Sequence, residues 1–357
     1  MNKTVPSCTN PVRLQINDEN RAGEETTMKK RMFMIIACFV FLVCGCVKKE
    51  QPPAEASKEN LIVVGFSQVG AESEWRVANT ESMKSALSVK NGYELIYDDA
   101  RQEQENQIRA IRNFIQQKVD YIVFSPKVET GWNSILQEAK EADIPVLMID
   151  RDIDATEGLY TAYIGSDFRE EGEKAVSWLE NLLEKQGRTN DPVRIVHLQG
   201  TIGSSAQIGR TIALEQAVQR NVNWKVVAQQ CGDFTRAKAY EVMSAILKRT
   251  KEIDVVYCEN DGEALGAIDA MEEAGLKCNA QDGVIVISFD ATKLALEYCL
   301  QGKIAVDVEC NPLQGPYVEE LIQKLQRGEP TEKNVFIEET LFDCFTITRE
   351  MIDERKY

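Results

Sequence analysis

The sequence predicts an α/β protein of two doubly wound parallel-sheet lobes. Near-continuous apolar runs recur along the chain, as strands covered on both faces carry. They alternate with stretches of helical period. The alternation then restarts after Ile164-Gly165-Ser166. Some eleven strands result. One sheet of that width would be unusual, so two lobes are the simpler arrangement.

The elements follow in order. Leu61–Phe66 is the first buried strand, and a helix over about Glu74–Val89 follows it. Tyr93–Tyr97 is the next strand. The helix after it sets Ile108, Ile111 and Ile115 on one face. Strand Tyr121–Phe124, helix Trp132–Ala142 and strand Val146–Ile149 come next, with Pro145 at a strand entrance, where a missing N–H is tolerated. In the second half, helix Arg169–Leu183 gathers Val176, Leu179 and Leu183. Strands Arg194–Leu198, Lys225–Ala228, Val255–Cys258 and Val284–Phe289 alternate there with helices Ala206–Gln219, Arg236–Leu247 and Glu263–Ala274. Gly275 is placed to cap the last of these.

The N-terminus reads as a targeting segment. Met28-Lys29-Lys30-Arg31 is a basic start, and Met32–Val43 is an apolar run of twelve residues. That is short for a bilayer span, which needs about 20, and suits a secretory signal over 28–45. The run ends Leu42-Val43-Cys44-Gly45-Cys46, which resembles a bacterial lipobox with Cys46 as the lipidated residue. Residues 1–27 read as a non-native or disordered leader and 46–60 as a tether. The chain carries -16, while residues 1–46 carry +2, leaving -18 on the remainder. Such acidity argues against a nucleic-acid partner.

Six of the ten cysteines (Cys231, Cys258, Cys278, Cys299, Cys310 and Cys344) lie beyond the leader. Export permits disulfides, but spacing does not fix their pairing. The single histidine, His197, stands among apolar strand residues, so no metal site is expected. No phosphate-cradling GxxxxGK[ST] or GxGxxG stretch occurs, and no cofactor is expected.

In open parallel sheets, ligands bind beyond the carboxyl ends of the strands. The residues that follow the apolar runs are polar. Glu72, Trp75 and Arg76 follow the first, Asp150 and Arg151 the fourth, Asn260 a strand of the second half, and Asp290 and Glu309 the last two. Carboxylates accept from hydroxyl groups, arginines donate to oxygens, and an indole covers C–H faces. This chemistry suits a sugar. Hydrogen bonds to charged groups contribute about 1.5–3 kcal/mol each, and micromolar affinity needs only about 8 kcal/mol net. Any one of these residues alone could equally be a helix cap or a surface charge.

Taken together, several stretches resemble the periplasmic sugar-binding proteins of the ribose-binding type, which have the type 1 periplasmic binding protein fold. Within them, the chain looks most like the galactofuranose binders of ABC importers. The stretches are Gly65–Arg76, Gln104–Ile108, Thr130–Trp132, Ile144–Arg151, Leu198–Thr201, Gly232–Arg236 and Glu259–Asp261. The resemblance implies that Asp150 and Arg151 grip hydroxyls from the first lobe. It implies that Arg210, Phe234, Asn260 and Asp290 act from the second, with Phe234 stacking. Glu309 stands where ribose binders carry glutamine. The first loop departs from ribose binders and matches the galactofuranose type at Glu72, Trp75 and Arg76. The resemblance also implies three crossings at a hinge, with 61–166 and 310–336 in one lobe and 167–309 and 337–357 in the other.

The expectation is a monomeric, non-enzymatic, lipid-anchored receptor on the extracytoplasmic face of the membrane. It captures a monosaccharide by hinge closure and presents it to an ABC permease or, alternatively, to a membrane sensor kinase. A lac-repressor-type regulator would need a helix-turn-helix where the signal and tether stand. A glycosidase could pair Asp150 with Asp290, but clustered arginines suit gripping better than proton transfer.

Overall fold

The computed structural model describes residues 61–357. The leader, the signal and the Cys46 tether therefore lie outside the described residues. Within the described part, β1 (Ile62–Gln68), β2 (Tyr93–Asp99), β3 (Tyr121–Phe124), β4 (Val146–Asp150) and β5 (Ala162–Gly165) alternate with α1 (Glu74–Ala86), α2 (Gln104–Gln117) and α3 (Asn133–Glu141). After α4 (Phe168–Lys185) come β6 (Val193–Gln199), α5 (Ser205–Arg220), β7 (Trp224–Cys231), α6 (Arg236–Leu247), β8 (Val255–Cys258) and α7 (Asp261–Glu273). Then follow β9 (Ile285–Asp290), α8 (Lys293–Leu300), β10 (Val306–Glu309), α9 (Gly315–Gln326), β11 (Asn334–Phe336), β12 (Leu341–Asp343) and α10 (Arg349–Asp353).

Two six-stranded sheets result. The first runs β11-β5-β4-β3-β1-β2 and the second β12-β10-β9-β8-β6-β7. Only β12, paired to β10, is antiparallel. The chain passes from one sheet to the other after β5, after β10 and after β11.

Alternation along each strand supplies two cores per sheet. In β3, Tyr121 and Val123 join Met83, Val318 and Leu321 under α1 and α9. Ile122 and Phe124 face the other way, to Phe114, Trp132 and Leu136 under α2 and α3. In β8, Val255 and Tyr257 meet Val176 and Leu214 of α4 and α5. Val256 and Cys258 meet Met243, Ile268 and Leu296 of α6, α7 and α8. Each fully buried large apolar side chain contributes about 1.5–3 kcal/mol.

The helices start at the sheet ends that face the cleft, and side chains cap several of them, among them α1, α5 and α7. Ser73 accepts from Arg76 N at 3.1 Å, Ser204 from Gln207 N at 3.3 Å and Asn260 from Glu263 N at 2.9 Å. Three details differ from the expected elements. Helix α1 ends at Ala86 rather than Val89, because a short 3-10 turn over Val89–Asn91 closes on Gly92 at φ 93°. Residues 162–165 form a strand, and the edge strands β11 and β12 hold only three residues each, too few to show a period. The six cysteines of the described residues are free. His197 is a core residue that shares a hydrogen bond with Glu259 at 2.9 Å. Among the described residues, no helix is long and apolar enough to cross a membrane.

Candidate functional site

The carboxyl ends of both sheets meet in a small, tightly closed cavity. The lobes stand closed over it. Asp152 N donates to Ser205 Oγ at 2.9 Å, and Glu129 N donates to Gly203 O at 2.9 Å.

Three of the lining residues hold a backbone conformation that few side chains tolerate. Asp150 (φ 64°), Phe234 (φ 59°) and Asp290 (φ 108°) are all in the left-handed region. At Asp150 the chain turns within three residues, with Arg151 N bonded to Ile149 O at 2.8 Å. Such conformations cost about 1–3 kcal/mol each and gather at binding sites. Here they turn side chains into the cavity at the ends of β4 and β9 and ahead of α6.

The wall from the first lobe is an ion-pair lattice. Arg76 donates to Asp150 Oδ2 at 2.5 Å, to Glu72 Oε1 at 3.0 Å and to Ser125 Oγ at 3.2 Å. Ser125 Oγ in turn donates to Asp150 at 2.8 Å, and Gln102 Nε2 to Glu72 Oε2 at 2.5 Å. Burial works to raise the Glu72 carboxyl, but Arg76 and Arg151 outweigh it and hold it below the usual range. Arg151 is different. It donates to Lys127 O at 3.1 Å, while its nearest carboxylate oxygens, on Glu72 and Asp150, stand at 3.8 Å. Its guanidinium lies 5.2 Å from the centre of the Phe234 ring. At 2% exposure a cation needs partners, so this arginine has the greatest donor capacity to offer a guest.

The second lobe supplies the opposite wall. Arg210 Nε donates to Glu171 Oε2 at 2.7 Å, its Nη1 donates to Glu259 O, and Asp290 Oδ1 lies 3.8 Å from its Nη2. Burial drives the Asp290 carboxyl well above the usual range despite Arg210, and Asp261, Glu171 and Asp150 add to the shift. Asn260 caps α7 with its oxygen and donates from Nδ2 to Phe234 O at 3.2 Å. The Phe234 ring lies on the backbone at Gly200, where a Cβ would stand 1.9 Å from Cζ. Trp75, Phe168, Ala206, Phe234 and Cys310 form a small apolar cluster between the lobes. Trp75 Nε1 donates to Cys310 O at 2.6 Å.

Glu72, Trp75, Arg76, Asp150, Arg151, Arg210, Phe234, Asn260 and Asp290 thus line one cavity. Glu309 does not join them. Its Oε1 accepts from Arg355 at 2.8 Å and Tyr357 at 3.0 Å, and its Oε2 accepts from Thr340 N at 3.0 Å. Successive residues of an extended segment face opposite ways, and here it is Cys310 that faces the cavity. Phe168, Ala206, Ser73 and Cys310 also line it. No sequence signal marked them, since each reads as an ordinary helix-start or strand-end residue.

The arrangement offers charged donors and acceptors on both walls and aromatic surface between them. No histidine stands among the lining residues.

A family model described as a periplasmic binding protein domain matches residues 64–329. The galactofuranose-binding protein YtfQ of Escherichia coli (strain K12) is 39% identical over 295 residues, covering 81% of this chain and 90% of that protein. A Mycobacterium smegmatis structure in complex with β-D-fucofuranose is 44% identical, with a TM-score of 0.75, covering 80% of this chain and 92% of that one. The periplasmic binding component of the arabinose ABC transporter of Shewanella sp. ANA-3, bound to α- and β-L-arabinofuranose, is 38% identical. Its TM-score is 0.76, and the match covers 82% of this chain and 95% of that one.

Proposed function

The chain belongs to the periplasmic binding protein domain family, and we propose on that premise that it captures a monosaccharide by hinge closure and delivers it to an ABC importer. The observation that carries this is the two-walled cavity, with Arg151 and Asp150 on one side and Arg210, Asn260 and Asp290 on the other. A sugar that bridges the walls adds contacts only in the closed form and shifts the population toward it. The permease then reads the closed form.

The guest is an aldose in furanose form, related to galactofuranose. Likeness to a galactofuranose binder and to structures holding fucofuranose and arabinofuranose supports this ring form. Arg76, locked onto Glu72 and Asp150, serves as scaffold, whereas Arg151 and Asp290 take the hydroxyls. The sugar leaves chemically unchanged, so the protein acts as a receptor and performs no turnover. Cys46 carries a lipid that holds the monomer at the extracytoplasmic face, with 46–60 as tether.

Calorimetric titration of the purified protein against D-galactose, D-fucose, L-arabinose and D-ribose tests the binding, with chromatography of the recovered sugar as the control for turnover. Saturable binding of at least one sugar, recovered intact, is expected. Absence of binding across furanose-forming sugars, or conversion of the sugar, defeats the reading. Palmitate labelling of the wild type but not of Cys46→Ser is the outcome expected for the anchor, and equal labelling of both defeats that part.

A further inference from the structure

Two acids in the described residues hold a buried oxygen with no hydrogen-bond partner, Glu171 Oε1 and Asp307 Oδ2. Each faces another acid. Asp307 meets Asp261 beneath the cavity, and Glu171 meets Glu339 at the hinge. An unpartnered carboxylate oxygen against a second carboxyl group marks a place for one proton, because two such groups sharing a site do not both ionise.

The hinge pair has the wider consequence. Glu339 stands in the third passage between the sheets. Its Oε1 accepts from Ser166 Oγ of the first passage at 2.6 Å and from Asn311 N of the second at 2.7 Å. One carboxyl group therefore touches all three passages. On its other side is Glu171, in the first turn of α4. Glu171 Oε2 accepts from Arg210 Nε at 2.7 Å and so aims that arginine into the cavity. Oxygens of Glu171 and Glu339 and the Cys310 sulfur all lie within 4.8 Å of one another.

We propose that Glu171 and Glu339 share one proton, and that this proton fastens the three passages in the closed form and keeps Arg210 aimed at the sugar. The proposal deepens the sugar-receptor reading and rests on it for its affinity arm. Glu339 is on this view a positioning residue, reaching the sugar only through Glu171 and Arg210.

The charges around the pair agree. Burial, then Glu171, push the Glu339 carboxyl up to about 9. Burial also raises Glu171 against the pull of Arg210. Arg210 of α5 is committed to Glu171 and to Glu259 O. From α4, Lys174 Nζ reaches the Glu339 backbone oxygen at 3.3 Å and pairs with Glu170 at 3.0 Å, so it leaves the Glu339 carboxyl uncompensated. The other nearby groups, Asp167, Glu170 and Glu338 at the surface and Asp290 and Cys310 toward the cavity, are acids or a thiol. The carboxylates favour retaining the proton, whereas the hydrogen bonds of Cys310 to Glu171 and of Ser166 and Asn311 to Glu339 pull the other way without outweighing burial.

The sign follows. An acid whose pKa is higher closed than open takes up a proton on closing. Its contribution is complete at low pH, falls as pH rises above the open-form value, and is lost once pH passes about 9. Affinity for D-galactose and melting temperature of the ligand-free protein are to be measured at pH 6 and pH 9.5, for wild type and Glu339→Gln. Wild-type affinity is expected to be at least tenfold weaker at the higher pH, since one linked proton weighs up to tenfold for each pH unit between the open-form value and about 9, with a matching fall in melting temperature. Glu339→Gln keeps the geometry: its amide N–H donates to Glu171 and its oxygen accepts from Ser166 and Asn311. Both readouts should then be much flatter with pH. Superimposable pH profiles of wild type and Glu339→Gln overturn the proposal, as does a stoichiometric divalent cation retained in native mass spectrometry. If no sugar binds, the receptor reading fails, and the melting profiles still decide on the proton.

Discussion

Arg151, just past the end of β4, and Glu309, the last residue of β10, are both charged residues at a strand end, and the structure gives them opposite positions. Arg151 stands between the walls with its nearest carboxylate oxygens at 3.8 Å. Glu309 is turned onto Arg355, Tyr357 and Thr340. Sequence alone could not separate them, because one residue of register in an extended segment reverses the face. The expected outcome of Arg151→Ala is a loss of about 2–5 kcal/mol of sugar affinity, with ligand-free melting nearly unchanged, since little of its bonding is internal. Asp290→Ala should act likewise. Glu309→Gln should instead keep wild-type affinity and lower stability by about 1–3 kcal/mol, because Arg355 loses a charged partner. Calorimetry and thermal melts of the three variants check this. A Glu309→Gln protein that melts like wild type but has lost sugar would return that residue to the site.

At the scale of elements, the site is a set of strand ends bent out of line. The positive φ values at Asp150, Phe234 and Asp290 are held because fixed neighbours surround them. Phe234 N donates to Glu263 Oε1 at 3.2 Å, and its carbonyl accepts from Asn260. Gly200 is the second half of that device, since the Phe234 ring occupies the space a Cβ would need. Gly200→Ala should displace the ring and weaken sugar binding by about 1–3 kcal/mol while the far-ultraviolet circular dichroism stays that of wild type. An unchanged affinity would mean that the ring is not a wall of the sugar site. The strands and long helices that frame these bends were legible from period and apolar content. The bends were not, because Asp, Phe and Asp carry no mark of left-handed backbone. The edge strands β11 and β12, at three residues each, were equally silent.

Across the whole molecule, three passages of chain link two sheets whose polar ends face each other. Few bonds cross the cleft mouth, among them Asp152 to Ser205 and Glu129 to Gly203. A saturating sugar should therefore compact the protein in solution. Small-angle scattering is expected to give a smaller radius of gyration with sugar than without, and an unchanged radius in a protein that binds sugar would argue against closure. By itself, the sequence determined the two-lobed α/β architecture and pointed to nine residues that line one cavity, because apolar period sets strands and helices and strand ends in parallel sheets must face a cleft, while Arg210 and Phe234 came from the family resemblance. Only the tertiary structure decided that Glu309 serves the C-terminus, that Cys310 and Phe168 face the cavity, and that Glu339 meets Glu171 at the hinge. Such contacts join residues far apart in the chain, and which side chains meet there depends on how the lobes pack.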